Sequence, residues 1–215
     1  MPFIHKFHPW LTLPENLVTW KVRTLIIGTF SPGWNELNNA RWFYGRTNNN
    51  HLWQILPELH GESSLRHAPV ENWVEFCAKH AIAFSDLIES IPSADIDNPL
   101  HQKALIGDNY SDTSIIRQFP EKEIVWTDLN RILDSRPEIK HVYLTNTGGG
   151  VWGRKFQMAQ DYAAQHPERN LQVTPLYTPG SGARFFVKSK GFKTTTDLIK
   201  FEWMKRGFLP VEPQN

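Results

Sequence analysis

Three stretches of the chain combine small, polar and aromatic residues in ways that suit work on a ligand as well as packing. The first is Gly28-Thr-Phe-Ser-Pro-Gly33. A glycine and a Pro-Gly pair around small polar residues make a tight turn with exposed backbone N–H groups, so Thr29, Phe30 and Ser31 can be set against a ligand. The same spacing equally serves a plain strand-to-loop turn. No Gly-Lys-Ser/Thr follows, so it is not a phosphate-binding P-loop, and it is not a dinucleotide fingerprint. The second stretch is Arg41-Trp-Phe-Tyr-Gly-Arg-Thr-Asn-Asn-Asn-His-Leu-Trp53. Asn50, or a neighbour such as Asn49, is a natural helix N-cap, but a cap needs only one of the three asparagines. Carboxamides also pair with the edge of a nucleobase, donating and accepting together. Phe43 or Tyr44 can stack on the face of such a base. The third stretch is Leu176-Tyr-Thr-Pro-Gly-Ser-Gly-Ala-Arg184. Small residues around Pro179 give a thin, stiff loop that ends in a cation. Such a loop can enter a DNA groove, with Arg184 filling the space a displaced base leaves. As an ordinary surface turn, its arginine would meet solvent.

The elements that must hold these stretches are legible in the hydrophobic pattern. Val22–Gly28, Lys140–Thr145 and Leu171–Tyr177 read as short buried strands. Asn50–Leu56 carries a helical stripe that stops near Pro57, and Val70–Ala81 and Ile124–Leu133 repeat that stripe. Further helices are expected over Val151–Gln165 and Thr196–Lys205. Strand–helix alternation predicts an α/β three-layer sandwich with a short, mostly parallel central sheet flanked by helices. In such sheets ligands bind outside the carboxyl ends of the strands, where the loops Thr29–Asn35, Asn146–Gly150 and Thr178–Arg184 fall. The run Gly148-Gly149-Gly150 can cradle a phosphate at the start of the next helix, or serve as a flexible turn. Residues 1–21 read as an N-terminal arm, 22–207 as a single domain, and 208–215 as a C-terminal tail.

Composition narrows the class. With 215 residues and 40% hydrophobic content, the chain can bury a sizeable core without a staple. The single Cys77 excludes an internal disulfide framework and a Cys-rich metal site, and fits a reducing compartment. The longest apolar runs are far short of the ~20 residues that cross a bilayer. No secretory signal is visible, so a soluble, cytoplasmic protein is expected. Net charge is +1, yet residues 62–139 carry 7 Lys/Arg against 14 Asp/Glu, and residues 184–215 carry 7 against 3. The basic C-terminal part can sit on a phosphate backbone, or form a solvated helix face. Nine tryptophans mostly fill core. The nine histidines form no His-x-x-x-His or His-Glu pairing, so no metal site is expected. Ser31 lies in no Gly-x-Ser-x-Gly elbow.

In this order, the three motifs resemble the uracil-DNA glycosylase superfamily, and most of all its mismatch-specific uracil and hypoxanthine-DNA glycosylase branches. The likeness spans about residues 22–190 and includes Ile82-Ala-Phe-Ser-Asp-Leu-Ile88. It departs from the family in three ways. The first turn is one residue longer than the commonest form. Ser31 stands where Asn or Asp would position the attacking water. Thr178 opens the late loop where many members have His or Asn. In hypoxanthine-type members an Asn at the helix start matters instead, and Asn50 holds that position here.

The resemblance implies hydrolysis of the N-glycosidic bond of uracil or hypoxanthine flipped out of DNA, with no metal or cofactor. It assigns water placement to Ser31 or Asn35, base reading to Asn50 and Asn49 with the turn at Thr29 and Phe30, and stacking to Tyr44 or Phe43. Thr178 would lie near the leaving base. Arg46, Gly180, Ser181, Arg184 and Lys188 would contact DNA. DNA is the expected partner and a monomer the expected state, associated with the nucleoid while acting. The rival reading is a catalytically weak relative that binds nucleic acid or free nucleotides.

Overall fold

The computed structural model describes residues 2–5, 7, 18–30, 40–48, 50–106, 112–147 and 149–210. Strand β1 is Phe3–Ile4, β2 Thr24–Gly28, β3 Ile82–Asp86, β4 Ile88–Ile91, β5 Val125–Trp126, β6 His141–Leu144 and β7 Gln172–Pro175. The helices are α1 Leu52–Leu59, α2 Val70–Lys79, α3 Pro99–Leu105, α4 Asp112–Gln118, α5 Leu129–Ser135, α6 Gly150–Gln165 and α7 Thr195–Lys205.

The centre is a four-stranded parallel sheet in the order β3-β2-β6-β7. Every residue of β2 and β3 is buried, as strands covered on both faces require, and their near-continuous apolar runs follow from that. β7 is an edge strand, half-buried throughout, and its Pro175 is tolerated there at the strand end. The crossovers β2→β3 and β6→β7 step in opposite directions across the sheet, so the right-handed rule puts their helices on opposite faces. Helix α1 packs against α7, and α5 against α6. The result is the expected α/β layering around a parallel sheet. A second, antiparallel sheet in the order β1-β4-β5, which the sequence pattern did not suggest, lies beside it.

The core is unusually aromatic. The Trp53 ring stacks on Trp73 at 4.7 Å and on Trp42 at 5.5 Å, and meets Phe84 edge-on. The indole N–H groups of Trp53 and Trp73 donate to the carbonyls of Phe43 and Leu65. These two buried indoles thus keep a polar partner.

Several expectations are corrected. Ile124–Leu133 is not one helix: Val125–Trp126 pairs with β4, and the helix begins only after Asp128, whose side chain accepts the Arg131 N–H at 3.0 Å. Helix α1 ends near Pro57, running two residues past it to Leu59. Proline cannot donate to the Trp53 carbonyl one turn back, and Leu65 N–H bonds that oxygen instead at 2.8 Å. Of the segment read as an arm, Phe3 is fully buried and β1 pairs with β4. Phe208, at the start of the segment read as a tail, is also core.

Candidate active site

Parallel register sets the geometry. Gly28 is level with Asp86, and Thr145 N–H donates to the Ile27 carbonyl at 2.9 Å, so the ends of β2, β3 and β6 finish together. Gly28 must be a glycine. A Cβ there would fall 1.9 Å from Asp86 Oδ1 and 2.9 Å from the Tyr44 hydroxyl. This close approach brings Tyr44, from the second motif, over the ends of β2 and β3. The Tyr44 hydroxyl lies 2.8 Å from Thr145 Oγ1, and Thr178 Oγ1 donates to the Thr145 carbonyl at 3.0 Å. Tyr44 holds φ at +55°, a left-handed conformation that costs a bulky residue on the order of 1–3 kcal/mol. Such strain persists only where the surroundings hold the residue in place.

The second and third motifs meet directly. Asn50 forms an antiparallel bridge with Gly180, and His51 N–H donates to the Pro179 carbonyl at 2.8 Å. Asn50 Oδ1 accepts the Leu52 N–H at 2.9 Å in a tight turn leading into α1, whose N-cap is His51 and not Asn50. That bond uses only the oxygen. Among the described residues, Asn50 Nδ2 has no acceptor, so its two N–H groups stay available to a ligand carbonyl.

Two carboxylates at this edge were not singled out from the sequence. Asp112, the first residue of α4, accepts from Thr29 Oγ1 and from Asn146 Nδ2, both at 2.8 Å, and so ties the loop after β2 to the loop after β6. Burial pushes its carboxyl above the usual aspartate range; the two hydrogen bonds oppose that rise, and the nearby Asp86 charge adds to it. Asp86 itself is buried. His5 Nδ1 accepts the Phe7 N–H at 3.0 Å, so the ring proton sits on Nε2 and is donated to Asp86 Oδ2 at 2.6 Å. An isolated aspartate in a polar stretch gives no spacing signal, and His5 lies 81 positions from its partner. Only the family-like Phe84-Ser-Asp86 segment hinted at the second of these carboxylates.

The remaining site candidates divide by place. Ser31, Asn35 and Asn49 lie outside the described residues. Phe30 packs on Phe3 in the core, and Phe43 is buried between His5 and Phe84. Tyr44, half-buried, is the ring of the second motif that reaches the edge. Thr29, Tyr44, Asn50 and Thr178 are thus brought to one end of the sheet. Arg46 is half-buried on the loop leading to Asn50. Ser181 opens a 3-10 turn over Ser181–Phe186. Arg184, on that turn, lies over the Phe185 ring at 4.9 Å. Lys188 follows it, exposed.

Among the described residues, no cluster of three or more His, Cys, Asp or Glu is placed to hold a metal, and no helix is long and apolar enough to cross a membrane. No protein-family model matches the sequence, and no curated protein matches it. Among solved structures, the chain is similar to a solution NMR structure from Methanosarcina acetivorans described as a candidate uracil DNA glycosylase. The identity is 15% and the TM-score 0.48, over 84% of this chain and 91% of that one.

Proposed function

We propose that the chain is a monofunctional DNA glycosylase that hydrolyses the N-glycosidic bond of uracil or hypoxanthine extruded from DNA. One observation carries the reading: the Asn50–Gly180 bridge sets a carboxamide with free donors beside Thr178, at the sheet edge that also holds Asp112 and Tyr44. In the reaction, the bond between C1′ and the base nitrogen breaks while a water oxygen bonds to C1′. The base leaves with the electron pair and takes up a proton, and the water loses one. Charge grows on the departing base oxygen, and the N–H groups of Asn50 are suited to hold it. Tyr44 lies against the base face, with Thr178 near the leaving base.

The attacking water needs an acceptor. A serine hydroxyl is a weak one, and a buried carboxylate with raised basicity is a better one. Asp112 takes that part, with Ser31 or Asn35 orienting the water. Arg184 fills the space the displaced base leaves, and Arg46, Gly180, Ser181 and Lys188 contact DNA. No cofactor enters the scheme.

The test is an oligonucleotide duplex carrying uracil or hypoxanthine, incubated with the protein and then cleaved at abasic sites by alkali. Strand cleavage supports the reading. Intact strands with both bases reject it.

A further inference from the structure

A cavity of about 690 Å³, lined in part by His51, opens between helix α1, the Ser181–Phe186 turn and the start of α7. Its wall carries Arg66, Arg184, Lys188 and Lys193, and no carboxylate. Elsewhere cations are commonly paired: Lys79 with Glu62, Lys190 with Glu202, and Lys200 with Glu58. Among the described residues, none of the four cavity cations has an acidic partner. Arg66 is anchored through Nε to the Thr47 carbonyl at 2.9 Å, which leaves its two terminal nitrogens facing no described acceptor. Four unpaired cations around one recess repel one another, and a bound polyanion relieves that repulsion.

The rest of the wall mixes rings, an amide, three threonine hydroxyls and Val187. Phe185 is 71% exposed on the same turn as Arg184, and Gln54 and Phe192 also line the recess. Among the described residues, the buried His51 Nδ1 has no hydrogen-bond partner. Burial and the Arg66 charge hold the His51 ring below its usual range, so it meets a ligand as a neutral imidazole. A flat exposed ring beside cations is how single nucleotides are gripped: the phosphate by charge, the base by stacking. The volume lies in the ordinary range for small-ligand sites, about 300–1,000 Å³.

We propose that this cavity is a nucleoside-phosphate subsite, in which Arg66, Lys188 and Lys193 take the phosphate oxygens and Phe185 stacks on the base. It requires nothing of the glycosidic chemistry. The same chemistry fits a nucleotide within a DNA strand and a free nucleotide.

The test uses the full chain and two probes without a damaged base: thymidine monophosphate and an end-labelled single-stranded oligothymidylate. Arg66→Gln/Lys193→Gln is expected to weaken oligothymidylate about tenfold or more. Its log-affinity against log-salt slope should also become shallower by roughly 1.4, two contacts at about 0.7 each on a single strand. Phe185→Ala is expected to weaken the same probe with an unchanged salt slope. Loss seen with both probes identifies a general nucleotide subsite; loss with the oligonucleotide alone places it on a DNA strand. Wild-type affinity for both probes in either variant, with melting temperatures unchanged, overturns the proposal. Excision is scored separately: a wild-type chain that binds here but cleaves nothing rejects the proposed function and leaves the subsite standing.

Discussion

Under the proposed function Asn50 carries two jobs on one side chain, and substitution can separate them. Its oxygen holds the turn into α1 by accepting the Leu52 N–H, and its nitrogen faces no acceptor among the described residues. Asn50→Ala removes both, and should cost about 1 kcal/mol of stability, the worth of one hydrogen bond, together with excision. Asn50→Asp keeps the accepting oxygen and replaces the donor with a second acceptor. It should melt like wild type in a calorimeter yet lose excision by about 100-fold or more, the scale of one oxyanion donor. Asp112 is the opposite case: the role proposed for its carboxylate opposes stability. Burial holds its proton to a higher pH in the folded protein than in the unfolded chain, so the folded state loses stability as pH rises through that range. Asp112→Asn removes that loss. Chemical denaturation at neutral pH should show unchanged or greater stability, while the excision rate falls. In the wild type, the rate should decline on acidification at a pH above that of an ordinary aspartate.

The elements differ in how plainly the sequence announces them. Thr24–Gly28 and His141–Leu144 are central strands, buried on both faces, and their apolar runs mark them. β1, β4 and β5 are only two to four residues long, too short for any period, and exist because they pair with one another. The stripe through Val125, Leu129, Ile132 and Leu133 is shared by a strand and a helix, which is why it reads as one helix until Asp128 is seen to cap the second piece. The site shows the same division. Asn50, Tyr44 and Thr178 belong to contiguous motifs and could be found by reading along the chain. Asp112 and the His5–Asp86 pair depend on contacts between distant segments, which no local pattern records. The β2–β3 edge is the most tightly constrained element contact. Gly28→Ala should lower stability by more than the about 1–3 kcal/mol usual for overpacking, because the displaced atoms belong to a buried carboxylate rather than a flexible chain end. A fall in melting temperature with loss of soluble yield is the expected readout.

At the scale of the molecule, charge and acid stability follow from a few buried groups. His60 packs against Phe76 and His80, and burial pulls its imidazole down from 6.5 to about 4. The unfolded chain therefore takes up a proton first as pH falls, and stability is lost progressively from about pH 6.5 to about pH 4. A urea titration series should show that decline, and His60→Gln should flatten it. Arg66, Arg184, Lys188 and Lys193 gather around one recess without an acidic partner among the described residues. Under the proposed function, a DNA strand would be drawn toward that recess by charge.

The most direct measurement compares wild type with Asn50→Asp on end-labelled duplexes containing uracil or hypoxanthine, followed by alkali. Wild type should yield the shortened strand and the variant, equally folded, almost none. Intact strands from the wild type, or equal cleavage by the variant, would contradict the account.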